Sequence, residues 1–398
     1  MSIDNDFRNQ ILSSVERFVA DRIAPRASEI DAANLFPADL YREAAALGVF
    51  GLWIPEEYGG IGPDMVTPLL ISDVIARVSP SFALIFSNCG DAVTPIVNFG
   101  SDEQKRRLLP GIAAGTTIPC FALTEPGSGS DAASISTQAE EVDGGYRISG
   151  RKMWITNGGV GDVFTVFAKT DPDAGNKGIS AFIIERGAPG FTIGRNEDLI
   201  GLRGCPATEL VFEDVFVPAD QMLGEKNRGF RIAMSTLDEA RLNCSAMALG
   251  AATGALQCAI DYAKERVQFG KPIIEHQGLA FLLADCAARL TGARAIWQRA
   301  MTMLERSRSR EASTIAAMAK LLSTEAAMRV TTECVQAMGA NGLSKAYPVE
   351  RFMRDCKPFE VFDGTSQIQK LLIGRHLEKY GLPEVSHEEI AALGIAAE

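Results

Sequence analysis

The chain changes its hydrophobic pattern twice, and these two changes constrain its fold more than any other feature. Before Thr117, apolar residues recur at helical spacing. From there to about Phe230, short apolar runs alternate with turn residues, such as Asp-Gly-Gly at 143–145. Beyond Gly229, strand signals vanish and long stretches rich in Ala, Leu and Met follow. This order predicts helices, then an all-β region, then helices again.

We therefore predict an α+β multidomain chain with domains at 1–117, 118–229 and 230–398. The first is helical, the second is a β-sandwich or small β-barrel, and the third is a helical bundle. Helices are predicted at 7–19, 39–50 and 68–78, after a cap at Ser101-Asp102-Glu103-Gln104, and at 230–266, 275–307, 311–338 and 348–380. Strands are predicted at 146–148, 163–168, 179–184 and 210–217.

The composition narrows the classes of function. The chain has 398 residues, 46% of them hydrophobic, so it is able to bury a substantial core. Its net charge of −11 argues against general binding to nucleic acids or anionic membranes. Eight cysteines without a CxxC spacing, and three histidines, predict no structural zinc or iron–sulfur site. The acidic N-terminus is unlike a targeting peptide and no apolar run reaches membrane-spanning length, so we expect a soluble cytoplasmic protein.

Two segments of the β region are suited to a ligand. Residues 124–131 (Thr-Glu-Pro-Gly-Ser-Gly-Ser-Asp) combine hydroxyl donors with glycines, which allow close approach to the backbone. Residues 152–159 (Lys-Met-Trp-Ile-Thr-Asn-Gly-Gly) place Trp154, a stacking surface, two residues from the hydroxyl of Thr156. Taken alone, the first segment fits a surface loop equally well, and a lone Trp more often lies in a core at a strand end.

Six segments together carry a resemblance to a known family. They are residues 124–131, 152–158, 212–218 (Phe-Glu-Asp-Val-Phe-Val-Pro), 265–272 (Glu-Arg-Val-Gln-Phe-Gly-Lys-Pro), 275–277 (Glu-His-Gln) and 362–369 (Phe-Asp-Gly-Thr-Ser-Gln-Ile-Gln). In order and spacing they closely resemble acyl-CoA dehydrogenases, flavoenzymes that desaturate acyl-CoA thioesters, over about residues 5–380. The resemblance implies a helical domain, a β domain and a C-terminal four-helix bundle, with FAD bound between the last two. It also implies a homotetramer and an electron-transferring flavoprotein as electron acceptor.

The resemblance further implies which side chains hold each ligand. The FAD contacts would be Phe121, Leu123, Thr124, Gly129, Ser130, Trp154, Thr156, Arg266, Phe269, His276, Gln277, Gln336, Gly339, Ala340, Thr365 and Gln367. The four from Arg266 to Gln277 match positions that reach the cofactor partly from a neighbouring subunit. At Ala340 the family usually has glycine. The CoA thioester would contact Ser130, Asp238, Arg241 and Gly364.

The catalytic base is the point at which this chain departs from the family pattern. Most members carry Glu before the Gly-Thr-Ser, whereas this chain carries Asp363, which is one methylene shorter. Because a misplacement of about 1 Å costs on the order of a hundredfold in rate, either the substrate lies closer to Asp363 or Asp363 is not the base. The alternative base position of some members is Ala240 here, which cannot serve. Glu239 is predicted to point to another face of its helix.

Asp91 is a second candidate for a catalytic carboxylate. It maps to a region that lines the acyl pocket in the family, where an unpaired buried charge is costly. One interpretation is a solvent-facing helix cap. The other is a second base that takes a proton from a remote carbon, an arrangement that resembles members acting on cyclohexane- or cyclohex-1-ene-carboxyl-CoA.

The resemblance leaves several activities open. The leading hypothesis is an FAD-dependent acyl-CoA dehydrogenase, acting on a cyclic or on a short or branched acyl group. A flavin oxidase or lyase on the same scaffold is an alternative, since nitroalkane oxidases of this superfamily use an Asp base. A third alternative is a non-catalytic homologue that binds acyl-CoA or a partner, which the intact flavin motifs disfavour.

Overall fold

The structure, a computed structural model, describes residues 4–383. Within these residues, six α-helices precede the first β-strand. They are α1 (Asn5–Phe18), α2 (Ala27–Ala33), α3 (Ala38–Ala46), α4 (Val66–Ala76), α5 (Pro80–Phe99) and α6 (Asp102–Ala113). The predicted cap of α6 is present, but its N-cap residue is Ser101 rather than Asp102. The Ser101 hydroxyl accepts from the Gln104 backbone N–H, and the Gln104 side chain accepts from the Ser101 N–H at 2.9 Å.

Helix α5 is the element of this region that positions the site. It packs against strand β1 and against the first bundle helix, α7 (Gly229–Glu265), so it contacts all three parts of the chain. By length and composition it could span a membrane, but 67% of its apolar window is buried inside the protein. Polar side chains such as Asn88 and Asp91 interrupt its sequence, which is why the sequence did not single it out as an apolar run.

The middle of the chain forms the predicted β domain. Its strands are β1 (Pro119–Ala122), β2 (Gln138–Val142), β3 (Gly145–Thr156), β4 (Val163–Lys169), β5 (Ile179–Glu185), β6 (Phe191–Asn196), β7 (Ala207–Pro218) and β8 (Met222–Leu223). Within the described residues they form one sheet in the order β6-β7-β3-β2-β4-β5-β8, and β1 pairs in parallel with β4. Apolar side chains of these strands, including Phe164, Phe182 and Phe212, pack into a core of their own.

The C-terminal part is helical, as predicted. After α7 comes a short hairpin, β9 (Val267–Gln268) and β10 (Lys271–Pro272), and then α8 (Gln277–Arg306), α9 (Arg310–Met338), α10 (Val349–Phe359) and α11 (Ser366–Tyr380). The single helix predicted at 348–380 is wrong, because the chain breaks between α10 and α11. The break has a physical cause: Asp363 and Gly364 both adopt left-handed backbone angles, with φ of 52° and 86°.

Candidate active site

The turn between α10 and α11 presents the first candidate base, Asp363. Lys320 of α9 is completely buried, and its Nζ donates a 2.8 Å hydrogen bond to the carbonyl of Gly364. The buried side chain of Gln369 donates to the same carbonyl at 2.8 Å and to that of Asp363 at 3.2 Å. These donors fix the backbone of a strained turn, so the half-buried Asp363 side chain is held in one place.

The surroundings of Asp363 tune its acidity in two directions. Burial raises the pKa of Asp363 to about 6, while the positive charges of Lys320 and Arg241 lower it. No described residue donates a hydrogen bond to the Asp363 carboxyl group, and none forms an ion pair with it within 4 Å. A desolvated carboxylate with a pKa near neutrality is suited to act as a general base.

Asp91 lies in the middle of α5 and faces the same region. Because the N-cap of α5 is Ser79, the interpretation of Asp91 as a helix cap is wrong. Its half-buried side chain accepts one hydrogen bond, from Nδ2 of Asn243 at 3.5 Å. Burial and the negative charges of Asp363 and Glu239 raise the pKa of Asp91 well above its ordinary value, and the Asn243 hydrogen bond opposes this. The structure therefore brings the two predicted catalytic carboxylates close enough for the charge of Asp363 to act on Asp91, and we call these two side chains the carboxylate cluster.

Glu239 forms an ion pair with Arg308, which precedes α9. The pair satisfies its carboxylate, but its charge still acts on Asp91. Ala240, at the alternative base position, is buried and carries no acid. Of the carboxylates weighed from the sequence, only Asp91 and Asp363 lack a cationic partner within ion-pair distance among the described residues.

The predicted CoA-binding pair lies on the same stretch of α7. Arg241 is buried and donates to Asp238 through Nη1, while its Nε is buried without a partner in the described residues. The second oxygen of Asp238 accepts from the hydroxyl of Ser313 at 2.6 Å. A buried guanidinium with an unused donor is suited to an additional acceptor, as a phosphate or ribose oxygen would provide.

The end of β3 lies beside α5. Trp154 is 49% exposed and has a φ of 63°, a left-handed backbone angle within the last residues of β3. Thr156 follows, and its carbonyl accepts from Nδ2 of Asn88 at 3.5 Å. Asn88 and Asp91 are three residues apart in α5 and therefore share a helix face. This contact connects the predicted flavin residues of β3 with the two carboxylates.

The loop after β1 is held against β3 by a buried ion pair. Lys152 donates to Glu125 at 2.8 Å and to the carbonyl of Leu123 at 3.0 Å. The Met153 N–H donates to the carbonyl of Thr124 at 2.9 Å. Phe121 packs on Phe167, whereas Gly129 and Ser130 are exposed at the tip of the loop. The predicted contacts of residues 121–130 are thus brought next to Trp154 and Thr156.

A second group of predicted FAD contacts lies elsewhere, at one end of the bundle. Its members are Arg266, Phe269, His276, Gln277, Gln336, Gly339 and Ala340. Tyr262 connects its two parts: its carbonyl accepts from the Arg266 N–H at 2.9 Å, and its hydroxyl accepts from Asn341 at 2.7 Å. Most of these side chains are exposed, Phe269 at 95%. Within one chain, the contacts of the described residues do not connect this group with the carboxylate cluster.

Thr365 and Gln367 lie just beyond Asp363. Thr365 is the N-cap of α11 and accepts from the Ile368 N–H at 3.2 Å, so its hydroxyl already has a structural role. Gln367 is exposed in the first turn of the same helix. Both therefore follow directly on the turn that carries Asp363.

The residues present fit a flat aromatic cofactor such as FAD. The half-exposed indole of Trp154 offers a stacking face, and the hydroxyl of Thr156 lies two residues away. Gly127 and Gly129 border open space, since a Cβ built on either would meet nothing within 4 Å. A loop of this kind leaves its backbone free for close approach by a ligand.

Three buried polar residues of this region were not singled out from the sequence. Lys320 stands in an otherwise apolar helical run, Asn243 lies between the buried Leu242 and Cys244, and Asn88 lies between Ser87 and Cys89 in a buried helix. A lone amide or ammonium in a run of core residues is itself a signal, because burying it is costly without a specific partner. What the sequence could not show is which partner each side chain meets.

The comparisons with known proteins follow this geometry. Family models of the acyl-CoA dehydrogenases match the chain in three parts: the N-terminal domain at residues 5–116, the middle domain at 120–215 and the C-terminal domain at 227–378. An acyl-CoA dehydrogenase of Bacillus subtilis is 42% identical over 364 residues, 91% of this chain and 96% of the relative.

Two further proteins bear on the substrate. The cyclohex-1-ene-1-carbonyl-CoA dehydrogenase of Syntrophus aciditrophicus is 40% identical over 92% of this chain and 89% of its own length. The solved structure of butyryl-CoA dehydrogenase from Megasphaera elsdenii superimposes with a TM-score of 0.91 at 39% identity, covering 95% of this chain and all of that one (100%). The family inferred from six ordered motifs is confirmed, and with it the α–β–α fold. The chain belongs to the acyl-CoA dehydrogenase family, whose members are oxidoreductases.

Proposed function

We propose that this protein is an FAD-dependent acyl-CoA dehydrogenase whose acyl pocket contains two carboxylates, Asp91 and Asp363, and whose substrate carries a cyclic acyl group. The observation that carries the proposal is that two carboxylates without a cationic partner share this region of the described residues, where burial, and then the negative charge of Asp363, raise the pKa of Asp91 well above its ordinary value. A pocket for a plain fatty chain has no use for a second carboxyl group, because an unpaired polar group against methylenes is costly.

The proposed roles come from the family resemblance, and the contacts described above are compatible with them. Arg241 and Asp238 would hold the CoA moiety, together with Ser130 and the backbone of Gly364. Thr124, Trp154, Thr156, Thr365 and Gln367 would hold FAD, which when bound supplies the acceptor for a hydride from the substrate. Asp363 would take the α-proton of a saturated acyl group such as cyclohexanecarboxyl-CoA, because the positive charges of Lys320 and Arg241 favour its ionised form at neutral pH.

Asp91 would serve a second position on the ring. Two interacting carboxylates lose their protons in two successive steps, so between these steps the cluster holds one ionised carboxylate and one protonated carboxyl group. In cyclohex-1-ene-carboxyl-CoA the α-carbon carries no hydrogen, so Asp91 would take the proton from a remote ring carbon while a hydride leaves another ring carbon for the flavin. The support is the resemblance of this arrangement to members acting on cyclic thioesters, together with the relative of Syntrophus aciditrophicus.

The second candidate is a short- or branched-chain acyl-CoA dehydrogenase. A specific observation favours it: the raised pKa of Asp91 means that its carboxyl group is more often protonated, and an uncharged carboxyl is tolerated beside a short apolar group. The likeness to butyryl-CoA dehydrogenase points the same way. In this case Asp363 is the only base.

The test is anaerobic bleaching of the visible flavin band by single CoA esters. Butyryl-, isovaleryl-, cyclohexanecarboxyl- and cyclohex-1-ene-carboxyl-CoA are added separately to the purified protein. Bleaching by a cyclic ester alone supports the proposal, and bleaching by butyryl- or isovaleryl-CoA supports the second candidate. If none bleaches the flavin, and air alone sustains hydrogen peroxide formation with another substrate, the oxidase alternative replaces both.

The assembly and the electron acceptor are part of the proposal. The exposed group from Arg266 to Ala340 would complete a cofactor site on a neighbouring subunit, as in a homotetramer. The mass of the purified protein in solution tests this, and Phe269→Ser should lower flavin content together with any change in assembly. An electron-transferring flavoprotein would reoxidise the enzyme, which is tested by mixing the reduced protein with such a flavoprotein.

A further inference from the structure

Asn243 is a buried amide beside Asp91 that the proposed mechanism has not used. It lies on α7 two residues after Arg241 and is only 3% exposed. Its Nδ2 donates to Oδ1 of Asp91 at 3.5 Å, while its own Oδ1 is buried without a partner among the described residues. An amide enclosed in this way with half of its hydrogen-bonding capacity unused is costly, so a second use for the oxygen is indicated.

The charges around Asp91 make this amide important. Asp363 faces it from the turn before α11, and Glu239, itself paired with Arg308, faces it from α7. Lys320 and Arg241 act on Asp363. The thiols of Cys89 on α5 and Cys244 on α7 also lie within its field. Of the interactions that act on Asp91, only the hydrogen bond from Asn243 favours its ionised form.

We propose that Asn243 is a positioning residue that allows Asp91 to exchange a proton at neutral pH. The proposal rests on the proposed role of Asp91 as a second base. While Asp91 is ionised, Nδ2 of Asn243 donates to it and offsets the burial and the two negative neighbours. Once Asp91 holds a proton, rotation of the amide turns the unpartnered Oδ1 towards Asp91, where it accepts the O–H. One side chain thus satisfies both states of the acid.

This arrangement explains why a neutral side chain stands here. A cation at position 243 would lower the pKa of Asp91 and keep it ionised, because an opposite charge within a few ångströms favours the charged form. An apolar side chain would leave Asp91 without a donor, and the acid would keep its proton. An amide supplies N–H donors on one side and an acceptor oxygen on the other, so it assists proton uptake and release alike.

The direct test measures the protonation of Asp91 without substrate or turnover. Infrared difference spectra of the purified flavoprotein are recorded between pairs of pH values, and the protonated carboxyl band of Asp91 is identified by its loss in Asp91→Asn. In Asn243→Leu, we expect the midpoint of this band to move to higher pH. Ser245→Ala is the matched control, because it removes a buried hydrogen bond to a carbonyl of the same helix without contacting Asp91.

The outcomes are separable. A midpoint in Asn243→Leu that is unchanged, or that moves to lower pH, overturns the proposal. If Asn243→Leu does not fold, Asn243→Ser serves instead, because a hydroxyl retains one donor and one acceptor in less space. We expect its midpoint to lie between those of the wild type and Asn243→Asp, which adds a fourth negative charge, and any other order contradicts the proposal.

Kinetics give a second readout. In Asn243→Leu, we expect kcat for the cyclic ester to fall about tenfold, since the lost hydrogen bond is to a charged group, while KM changes less than about twofold. Raising the pH should recover part of the loss. An equal fall in kcat at every pH, with no shift of the infrared midpoint, would show a merely structural role. If no CoA ester bleaches the wild-type flavin, the proposed function fails, but the infrared result still decides the role of Asn243.

Discussion

The protein buries two pairs of charged side chains that are constructed in opposite ways. In the β domain, Glu125 accepts from Lys152, from the backbone N–H groups of Ser136 and Thr137 and from the Ser136 hydroxyl. At the junction of α5 with the bundle, Asp91 and Asp363 are like charges. Within the described residues the two carboxyl groups together accept one hydrogen bond, which Asn243 donates to Asp91.

The pKa values show the consequence of this difference. Burial opposes the ionisation of Glu125, but Lys152 and the other donors outweigh it and lower its pKa to about 2. Burial raises the pKa of Asp363 to about 6, because its cations do not compensate fully. A satisfied buried charge holds the fold together, whereas an unsatisfied one retains the ability to react. We therefore expect mutation of Asp363 to lower activity without loss of stability, and mutation of Lys152 to lower the stability of the fold.

The largest effect on activity is expected from Asp363→Asn. Loss of a general base lowers the rate by about 10²–10⁴-fold, so the rate of flavin bleaching should fall by that factor, measured by stopped flow. At neutral pH the variant should unfold at the same or a higher temperature, because it no longer buries an ionised carboxylate. Asp363→Glu restores the side-chain length usual in the family and should retain activity. A rate in Asp363→Asn within tenfold of the wild type would exclude Asp363 as the base.

The largest effect on stability is expected from Lys152→Met. Removing one partner of a buried ion pair leaves Glu125 uncompensated and costs about 3–5 kcal/mol of unfolding free energy, measured by urea denaturation. The adjacent Arg151→Met is the matched control: its ion pair with Glu209 is exposed, so the loss should be below about 1 kcal/mol. The double variant Lys152→Met/Glu125→Leu should recover part of the stability. An equal loss in both single variants would refute the comparison.

The sequence predicts one of these centres better than the other. Asp363 lies in one of the six motifs that carry the resemblance, and the sequence alone shows that it replaces the Glu usual in the family. Glu125 and Lys152 both stand in motifs as well, but nothing in their spacing of 27 residues shows that they meet. Their pairing depends on the loop after β1 folding back onto β3, which is a tertiary contact.

The break after α10 shows a second limit. A period of 3.6 residues continues through 348–380, so the pattern predicts one helix. The left-handed angles at Asp363 and Gly364 interrupt it, and the compensating contacts come from Lys320, 44 residues earlier, and from Gln369. Propensity is overridden here by long-range donors. For the same reason the sequence could place Asp91 in the acyl region but could not identify Asn243 as its neighbour.

A smaller effect is expected from Lys320→Met. Without this ammonium, the pKa of Asp363 should rise, because one of the two cations that lower it is gone. The rate of flavin bleaching should fall about tenfold near pH 6 and recover at higher pH, because Asp363 then ionises despite its raised pKa. A smaller part of the loss should remain at every pH, because the turn also loses a hydrogen bond. Lys370→Met is the control, because Lys370 pairs with Glu325 on the surface. A uniform loss at all pH values would show that Lys320 only supports the turn.

The smallest effect is a difference in how the two centres respond to pH. For Asp363, the folded-state pKa of about 6 lies above the usual 3.8, so its contribution to stability declines as pH rises towards 6. For Glu125, the folded-state pKa of about 2 lies below the usual 4.5, so its contribution is complete above 4.5 and is lost as pH falls towards 2. Between about pH 5 and pH 7 only the Asp363 contribution should change, because burial lowers the pKa of Lys152, the partner of Glu125, only to about 8.

Two variants isolate these contributions by urea denaturation at several pH values. The stability of Asp363→Asn relative to the wild type should increase as pH rises through about 6 and then level off. The deficit of Glu125→Gln should stay constant across the same range and shrink only in acid. Catalysis should follow the same titration, because the rate of flavin bleaching rises as Asp363 ionises.

If the stability difference for Asp363→Asn is flat across pH 6 while the rate still rises, the titrating base belongs to the substrate complex rather than to the free protein. The contrast between a stabilising and a reactive buried carboxylate would then apply only once the thioester has excluded water from the turn.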